Sequence, residues 1–152
     1  MRAPETPEDW TSYYALRWRI LRAPWGQPPG SERDELEDSS VHRMVCDTSG
    51  KVLAVGRLHD TDNQTAQIRY MAVETGCEGQ GLGTRILEQL EQAALARGTT
   101  TVVLHARESA LPFYRRRGYR DLGPSHLLFG TIQHYLMSKQ LCPTAAMPDR
   151  PR

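Results

Sequence analysis

The sequence has few cysteines, and they lie far apart. There are three, Cys46, Cys77 and Cys142. An odd number at such wide spacing fits neither a disulfide framework nor a zinc site built from paired cysteines. This cysteine content is typical of a protein kept in the reducing cytoplasm.

Long apolar runs and an excess of charge of one sign are also lacking. The 152 residues contain 19 Lys and Arg against 18 Asp and Glu, which gives a net charge of +1. A chain this close to neutral has no strong field that would attract nucleic acid or an anionic membrane. No apolar run approaches the length of about 20 residues that a membrane span needs. The N-terminal MRAPETPEDW contains no apolar core of a signal peptide. We therefore expect a cytoplasmic protein with neither a nucleic-acid nor a membrane partner.

Two helices have strong signals. Thr6, Pro7 and Asp9 form an N-terminal capping pattern ahead of apolar residues at helical spacing. Residues 81–97 carry an apolar stripe, and Gly98 ends it. The chain has no internal repeat, and its length suits one domain with one core.

The remaining segments predict strands and shorter helices. Strands are predicted at VHRMVCD, KVLAVGRL, 66–73, 100–106, around 127–130 and at 133–140, and short helices at 31–38 and 110–118. A mostly antiparallel front half therefore runs into a β–α–β unit. The predicted fold class is α/β, with a mixed, mostly antiparallel sheet and helices on both faces. We expect a single domain over residues 1–142, followed by a disordered proline-rich tail at 143–152.

The segment EGQGLG, residues 78–83, places three glycines directly before the stronger helix. Such a loop lets a ligand approach the backbone, and the N–H groups of a helix N-terminus attract anions. The first turn contains Thr84 and Arg85 and no carboxylate, which favours a phosphate, whereas Glu78 opposes one. The alternative is a turn that only lets strand and helix pack tightly. The P-loop motif is absent, and the dinucleotide fingerprint lacks its third glycine.

A second motif lies downstream, in ALPFYRRRGYRDLG, where three arginines separate Phe113-Tyr114 from Gly118-Tyr119. Together with YMAVETGCEGQGLGTRIL, it resembles the GNAT superfamily of N-acetyltransferases. In that family a strand, a glycine loop opening a long helix, a second strand and a Phe-Tyr helix follow one another at this spacing. The resemblance covers residues 2–140 and implies a GNAT-like acyl-CoA N-acyltransferase fold. Glu78 departs from the family, which usually has Arg or Gln there.

The resemblance implies acetyl-CoA as the cosubstrate and no metal. The residues implied in cofactor binding are Met71, Val73, Gln80, Gly81, Gly83, Thr84, Arg107 and Ser109. Backbone groups of the first two are expected to pair with the pantetheine arm, as an added strand does. The backbone amides of Gln80, Gly81, Gly83 and Thr84 are expected to hold the pyrophosphate. Arg107 and Ser109 are expected to contact the arm.

Acetyl transfer to an amine requires loss of an amine proton, a donor for the oxyanion and a proton for the departing thiolate. The resemblance places Tyr114 as the general acid for the thiolate. His134, expected in the turn between the last two strands, is the candidate general base because histidine titrates near neutral pH. His42 and His59 are weaker candidates. Proton loss through a water chain, or binding of an already neutral amine, are the alternatives.

The acceptor is expected to bind at the first two helices and their connecting loop. This stretch holds Arg22, Trp25 and Glu32, and further carboxylates follow. A carboxylate beside an aromatic ring can recognise a cationic amine. The alternative is a solvated acidic helix whose carboxylates pair with nearby arginines, namely Arg17, Arg19 and Arg33.

The sequence therefore predicts an acetyl-CoA-dependent N-acetyltransferase that acts on a primary amine by direct attack in a ternary complex. A non-catalytic acyl-CoA-binding regulatory module on the same fold is the first alternative, and a nucleotide-binding protein is the second. The acceptor is left open between a small molecule and a peptide amine. A homodimer is compatible with the sequence.

Overall fold

A computed structural model describes residues 1–141. The predicted tail at 143–152 and Cys142 lie outside the described residues. The helices are α1 (Pro7–Leu21), α2 (Leu82–Ala96) and α3 (Leu111–Arg115), and the strands are β1 (Val41–Cys46), β2 (Val52–Asp60), β3 (Thr65–Val73), β4 (Thr101–Arg107), β5 (Arg120–Leu128) and β6 (Ile132–Gln140). No helix in this part of the chain is long and apolar enough to cross a membrane.

The described chain divides into two compact units. The first contains Met1–His59 and Ile68–Ala93, and the second contains Asp60–Gln67 and the described residues from Ala94 onward. The strands form a six-stranded mixed sheet in the order β1-β2-β3-β4-β6-β5. The pairings of β1 with β2, β4 with β6 and β5 with β6 are antiparallel. The fold class predicted from the sequence is confirmed.

Helix α1 begins at the predicted cap. Thr6 Oγ1 accepts a hydrogen bond from the N–H of Asp9 at 3.0 Å, and the Asp9 carboxylate accepts one from the N–H of Thr6 at 3.2 Å. Pro7 follows in the first turn, where its missing N–H has no helical partner to lose. The buried face of α1 contributes Tyr13 and Leu16 to a hydrophobic core in the first unit, together with Met44, Val52, Val55 and Ala72.

Helices α1 and α2 lie on opposite faces of β2. Val55 packs in the core that contains α1. A Cβ on Gly56 would meet Ile86 of α2 at 2.5 Å and the sulfur of Met71 at 2.7 Å. Since successive residues of a strand point to opposite faces, α2 covers the face that α1 does not. The glycine is what allows α2 to approach, and the predicted placement of helices on both faces is confirmed.

The acidic helix predicted over 31–38 is wrong. Residues 29–36 run through turns and irregular backbone, and a 3-10 turn follows at Glu37–Ser39. Glu32 accepts a hydrogen bond from the N–H of Gly30 at 2.8 Å, and Asp34 accepts one from the N–H of Leu36 at 2.9 Å. Carboxylates that bond to nearby backbone N–H groups compete with helix formation.

Three element bounds in the second unit also differ from the prediction. Strand β5 begins at Arg120, well before the segment around 127–130. Helix α3 ends at Arg115, and Gly118 has a φ of +95° beyond it. The turn before β6 ends at Thr131, so His134 lies inside β6 and not in the turn. Long-range strand pairing, which a local pattern does not report, sets these bounds.

Candidate active site

The glycine loop is open at the N-terminus of α2. Gly79 and Gly81 have φ values of +80° and +81°, a left-handed backbone that other residues rarely adopt. A Cβ on either would meet no atom within 4 Å. Helix α2 begins at Leu82, and its first turn contains no acidic residue. The unpaired N–H groups at the start of a helix can bind a phosphate when no carboxylate lies in the first turn.

Glu78, the departure from the family pattern, is bonded within the turn that precedes the loop. Its carboxylate accepts a hydrogen bond from the N–H of Gly76 at 2.8 Å. Gly76 has a φ of +90°, which suits a tight turn. Glu78 therefore stabilises the turn after β3.

Met71 and Val73, the residues predicted to pair with the pantetheine arm, are half-buried in β3. Tyr70, just before them, has a φ of +59°. A left-handed residue other than glycine costs about 1–2 kcal/mol, and such strain is concentrated at functional sites. The regular geometry of β3 is thus interrupted one residue before Met71.

Four guanidinium groups surround the ring of Tyr70. Their Cζ atoms lie 4.2 Å (Arg17), 4.5 Å (Arg69), 4.9 Å (Arg57) and 5.5 Å (Arg22) from the ring centroid. Arg17 and Arg57 are fully buried. We call these five residues the arginine–tyrosine cluster. Sequence reasoning missed it, although an arginine at position 57 inside an otherwise apolar strand was a signal, because buried arginines are rare.

Two carboxylates of the acidic segment bond to this cluster. Arg57 donates to both oxygens of Asp34, at 2.6 and 3.0 Å, and Arg69 donates to Asp34 at 3.1 Å. Glu37 accepts from Arg17 and Arg57, each at 2.9 Å. Burial acts to raise the pKa of Asp34, but the hydrogen bond from Arg57 and the surrounding charges outweigh it and lower that pKa to about 2. The carboxylate of Asp34 is therefore ionised at neutral pH.

Two of the predicted acceptor residues are buried and bonded within their own loop. Arg22 donates to the carbonyl oxygens of Ser31 and Leu21, each at 3.0 Å. Glu32 is 4% exposed and accepts the backbone hydrogen bond described above. Trp25 is half-buried at the end of a 3-10 turn. These contacts hold the loop after α1 in place.

A groove of about 530 Å³ runs beside α1. Trp10, Tyr14 and Trp18, spaced one helical turn apart, line one wall. Glu32 and Arg33 are among the residues of the opposite wall, and the Arg33 guanidinium lies 4.5 Å from the centroid of the Tyr14 ring. Of the residues predicted to bind the acceptor amine, Glu32 lines this groove.

Tyr114 lies in α3 of the second unit and is 8% exposed. Burial raises the pKa of its phenol to about 12, and the positive charge of Arg107 partly offsets this effect. The ring of Tyr119 packs edge-on against it, at 5.7 Å between centroids. The phenol keeps its proton at neutral pH and can donate it. Ser109 lies exposed in the 3-10 turn between β4 and α3.

His134 lies directly opposite Arg107 in the β4–β6 pairing and is buried. Its Nδ1 lies 3.0 Å from the carbonyl oxygen of Ile132. Because a carbonyl oxygen only accepts, Nδ1 carries the hydrogen, and the lone pair of the neutral ring is on Nε2. The ring of His126 stacks on it at 4.5 Å between centroids. An imidazole oriented in this way can accept a proton at Nε2.

The two weaker histidine candidates are held by buried hydrogen bonds in the first unit. His42 lies between the Tyr13 hydroxyl and the Glu37 carbonyl, each at 2.8 Å. Nδ1 of His59 accepts from Arg57 at 3.2 Å. Among residues 1–141, no three His, Cys, Asp or Glu side chains converge in an arrangement that could hold a metal ion.

Comparison with known proteins agrees with this geometry. An uncharacterized N-acetyltransferase of Bacillus subtilis (strain 168), YjcF, is 34% identical over 112 residues, which are 74% of this chain and 79% of that protein. An aminoglycoside 6′-N-acetyltransferase solved with coenzyme A superposes with a TM-score of 0.77 at 16% identity, covering 91% of this chain and 93% of the other. An acyl-CoA N-acyltransferase from Pseudomonas aeruginosa gives a TM-score of 0.72 at 21% identity, covering 91% and 96%.

The family model described as Acetyltransferase (GNAT) family matches residues 10–119, well over half of the chain. The match includes most of α1, the glycine loop and Tyr114. The resemblance inferred from the sequence motifs is confirmed. The chain belongs to the GNAT acetyltransferase family and is an acetyl-CoA-dependent N-acetyltransferase.

Proposed function

We propose that this enzyme transfers the acetyl group of acetyl-CoA to a primary amine, which attacks the thioester directly in a ternary complex. The observation that carries the proposal is the open glycine loop before α2, with Gly79 and Gly81 in left-handed conformations and open space beside both. Family membership supports the cosubstrate. A structural neighbour solved with coenzyme A supports the same ligand.

The loop and the start of α2 fit the pyrophosphate of the cosubstrate. The proposed donors are the backbone N–H groups of Gln80, Gly81, Gly83 and Thr84. The first N–H groups of an α-helix have no acceptor inside the helix and lie at its positive end. Because the Glu78 carboxylate accepts from Gly76, its substitution for the family's Arg or Gln is compatible with anion binding.

Backbone groups of Met71 and Val73 are proposed to hold the pantetheine arm as an added strand would be held. The left-handed residue before Met71 supports this role, because it interrupts the regular backbone geometry of β3 at that position. Arg107 and Ser109 are proposed to contact the same arm. Acetyl-CoA supplies an acetyl group already activated as a thioester.

Tyr114 is proposed to protonate the departing thiolate. A phenol whose pKa is raised to about 12 by burial is fully protonated at neutral pH and therefore available as an acid. The nearby charge of Arg107 stabilises the negative charge that develops on the phenol oxygen as its proton leaves.

His134 is proposed to remove the proton from the acceptor amine through Nε2. The Ile132 carbonyl keeps the hydrogen on Nδ1, which supports a basic Nε2. Replacing His134 by Gln tests the role, with His126→Gln, which alters the ring stacked on it, as the control. A kcat at pH 7 lowered by about 10²-fold or more in His134→Gln alone is expected, whereas an unchanged kcat means that His134 is not the general base.

Thiol release from acetyl-CoA in the presence of a library of primary amines tests the function as a whole. We expect amine-dependent release, with one acetylated amine formed per thiol. Coenzyme A binding without release above the amine-free rate would instead identify the alternative, a non-catalytic acyl-CoA-binding module. An acetyl group found on the protein after incubation without amine would contradict direct attack.

A further inference from the structure

We propose that the acceptor amine also carries an oxyanion, a carboxylate or a phosphate, and that the arginine–tyrosine cluster binds it. The inference rests on the proposed acetyl transfer and names the chemical class of its acceptor. It follows from the charge, the unused donors and the position of the cluster, all of which lie in the first unit.

The cluster holds more positive than negative charge. The guanidinium groups of Arg17, Arg57 and Arg69 share two carboxylates, those of Asp34 and Glu37. Three cations and two anions leave one positive charge in excess, and two of the cations are fully buried. The excess charge is carried by Arg69, which shares Asp34 with Arg57 and has a side chain that is 39% exposed, so a counterion from solution can reach it. A bound oxyanion would supply that counterion.

The positive charges of the cluster also act on Arg22, as a smaller effect than its burial. Burial lowers the pKa of this guanidinium, and the positive charges of Arg69 and Arg17 lower it further. The charge interaction and the hydrogen bond with the Tyr70 side chain act in the opposite direction. The observation that favours an anion near Tyr70 is the approach of four guanidinium groups to within 5.5 Å of its ring centroid.

Two donors inside the cluster are not used by the protein. The Nε atoms of Arg17 and Arg57 are buried and have no hydrogen-bond partner within the described chain. Buried donors are almost always satisfied in folded proteins. The number of N–H groups gathered around Tyr70 thus exceeds what the two carboxylates accept.

Arg69 is the member of the cluster that a ligand can reach. Its side chain is 39% exposed. Its partner Asp34 is already held through both oxygens by Arg57, so Asp34 keeps a counterion when Arg69 turns towards a ligand. Guanidinium groups bind carboxylate and phosphate with paired hydrogen bonds.

The cluster adjoins the part of β3 that is proposed to hold the acyl arm. Tyr70 is the residue directly before Met71, and consecutive Cα atoms are about 3.8 Å apart. An anion bound at Tyr70 and Arg69 would therefore anchor the acceptor close to the proposed acyl-arm residues. Binding energy from a remote group is an effective way to position a reacting amine.

The competing explanation is a network that only stabilises the fold. Such a network needs one cation for each carboxylate. Arg17 already pairs with Glu37, and Arg57 already pairs with Asp34. The two explanations differ at Arg69. A structural role predicts that its removal destabilises the protein, whereas a ligand-binding role predicts little change in stability.

The test is a competition among matched amines. The enzyme is incubated with acetyl-CoA and an equimolar pool of cadaverine and lysine, phenethylamine and phenylalanine, histamine and histidine, and ethanolamine and O-phosphoethanolamine. Products are counted by mass spectrometry. We expect the anionic member of at least one pair to be acetylated about tenfold faster than its partner or more, as one charge-assisted pair provides. Preference within the first three pairs identifies a carboxylate, and preference within the last identifies a phosphate.

Arg69→Gln should abolish that preference. Arg19→Gln is the matched control, because Arg19 is also an exposed arginine paired with one carboxylate, that of Glu74, and it should keep the preference. Urea unfolding of both variants provides the structural readout, and similar midpoints are expected.

Equal or faster acetylation of the members that lack an anionic group overturns the inference and leaves the acetyltransferase proposal intact. Coenzyme A binding without acetylation of any anionic amine also overturns it, as does a clearly lower urea midpoint for Arg69→Gln than for Arg19→Gln. Absence of both coenzyme A binding and thiol release would instead be a failure of the proposed function, and the inference would fall with it.

Discussion

At the scale of single residues, removing the hydroxyl of Tyr114 tests whether the protein is a catalyst or only binds acyl-CoA. Tyr114→Phe removes one oxygen and keeps the buried ring. We expect kcat to fall by about ten- to a thousand-fold, near or below the usual range for general acid catalysis. The affinity for coenzyme A should change little, because the hydroxyl acts mainly in the transition state. Steady-state rates and calorimetric titration measure the two quantities.

Tyr119→Phe is the control for Tyr114→Phe, since it also removes a buried phenol oxygen and its ring contacts that of Tyr114. It should retain most of the activity. If Tyr114→Phe keeps the wild-type kcat and the wild-type pH profile, Tyr114 has no part in the mechanism.

His42 makes the stability of the fold sensitive to acid. Burial lowers the pKa of His42 below its ordinary value in the folded state. As the pH falls below about 6.5, the unfolded chain takes up a proton that the folded chain does not, and unfolding is favoured by up to about 1.4 kcal/mol per pH unit. The contribution is therefore fully present above the unfolded pKa and is lost on acidification.

Urea unfolding between pH 7.5 and 5 measures this loss. His42→Gln can still donate to the Glu37 carbonyl and bond to the Tyr13 hydroxyl, but it does not titrate, so its stability should depend less on pH over this range. His126→Gln, at an exposed position, serves as the control. Equal slopes for wild type and His42→Gln would show that groups other than His42 control the acid sensitivity.

At the scale of elements, the junction of the glycine loop with α2 tests anion binding. Gly81 has a φ of +81°, so a branched residue there would be strained, whereas Asn and Asp tolerate this conformation better than most. Gly81→Asp and Gly81→Asn have nearly the same size and differ by one negative charge. If the loop holds a pyrophosphate, Gly81→Asp should bind coenzyme A about tenfold more weakly than Gly81→Asn, or weaker still.

Isothermal titration of the two folded variants gives this ratio. Their difference should shrink as salt is added, because the effect is electrostatic and the loop is exposed. Equal affinities for coenzyme A at low salt would favour the alternative, a glycine turn that only allows strand and helix to pack.

At the scale of the whole molecule, coenzyme A should stabilise the folded protein. A ligand that binds only the native state adds RT ln(1 + [L]/Kd), about 2.7 kcal/mol at a hundredfold excess over Kd. Adenine nucleotides lack the pantetheine arm that β3 is proposed to hold, so ATP should raise the melting temperature much less. Differential scanning fluorimetry compares the two ligands at equal concentration. Equal shifts would support the nucleotide-binding alternative over acetyl-CoA.

The single-domain boundary at residue 142 and the homodimer stay predictions at this scale. Size-exclusion chromatography with light scattering determines the oligomeric state of the full chain. Limited proteolysis determines whether the chain is cut before or after the predicted tail.

The sequence by itself determined the features that depend on neighbouring residues. The cap at Thr6, the apolar stripe of α2, the glycine loop and the Phe-Tyr helix are all local patterns, and they were enough to identify the family. Helix capping and glycine conformation involve groups within about four residues of each other. The two strong helices and the glycine turn before the second could therefore be predicted correctly.

Only the tertiary structure decided which side chains meet over long distances in the chain. Arg17, Asp34, Arg57 and Tyr70 come from four separate segments, and no local pattern reports that their charges converge. The acidic residues looked like a solvated helix because their partners lie in α1, β2 and β3. His134 was predicted in a turn but lies in β6 for the same reason, since pairing with a distant strand sets where a strand begins. Burial and long-range charge pairing are properties of the folded chain, and they created the arginine–tyrosine cluster, which the sequence did not reveal.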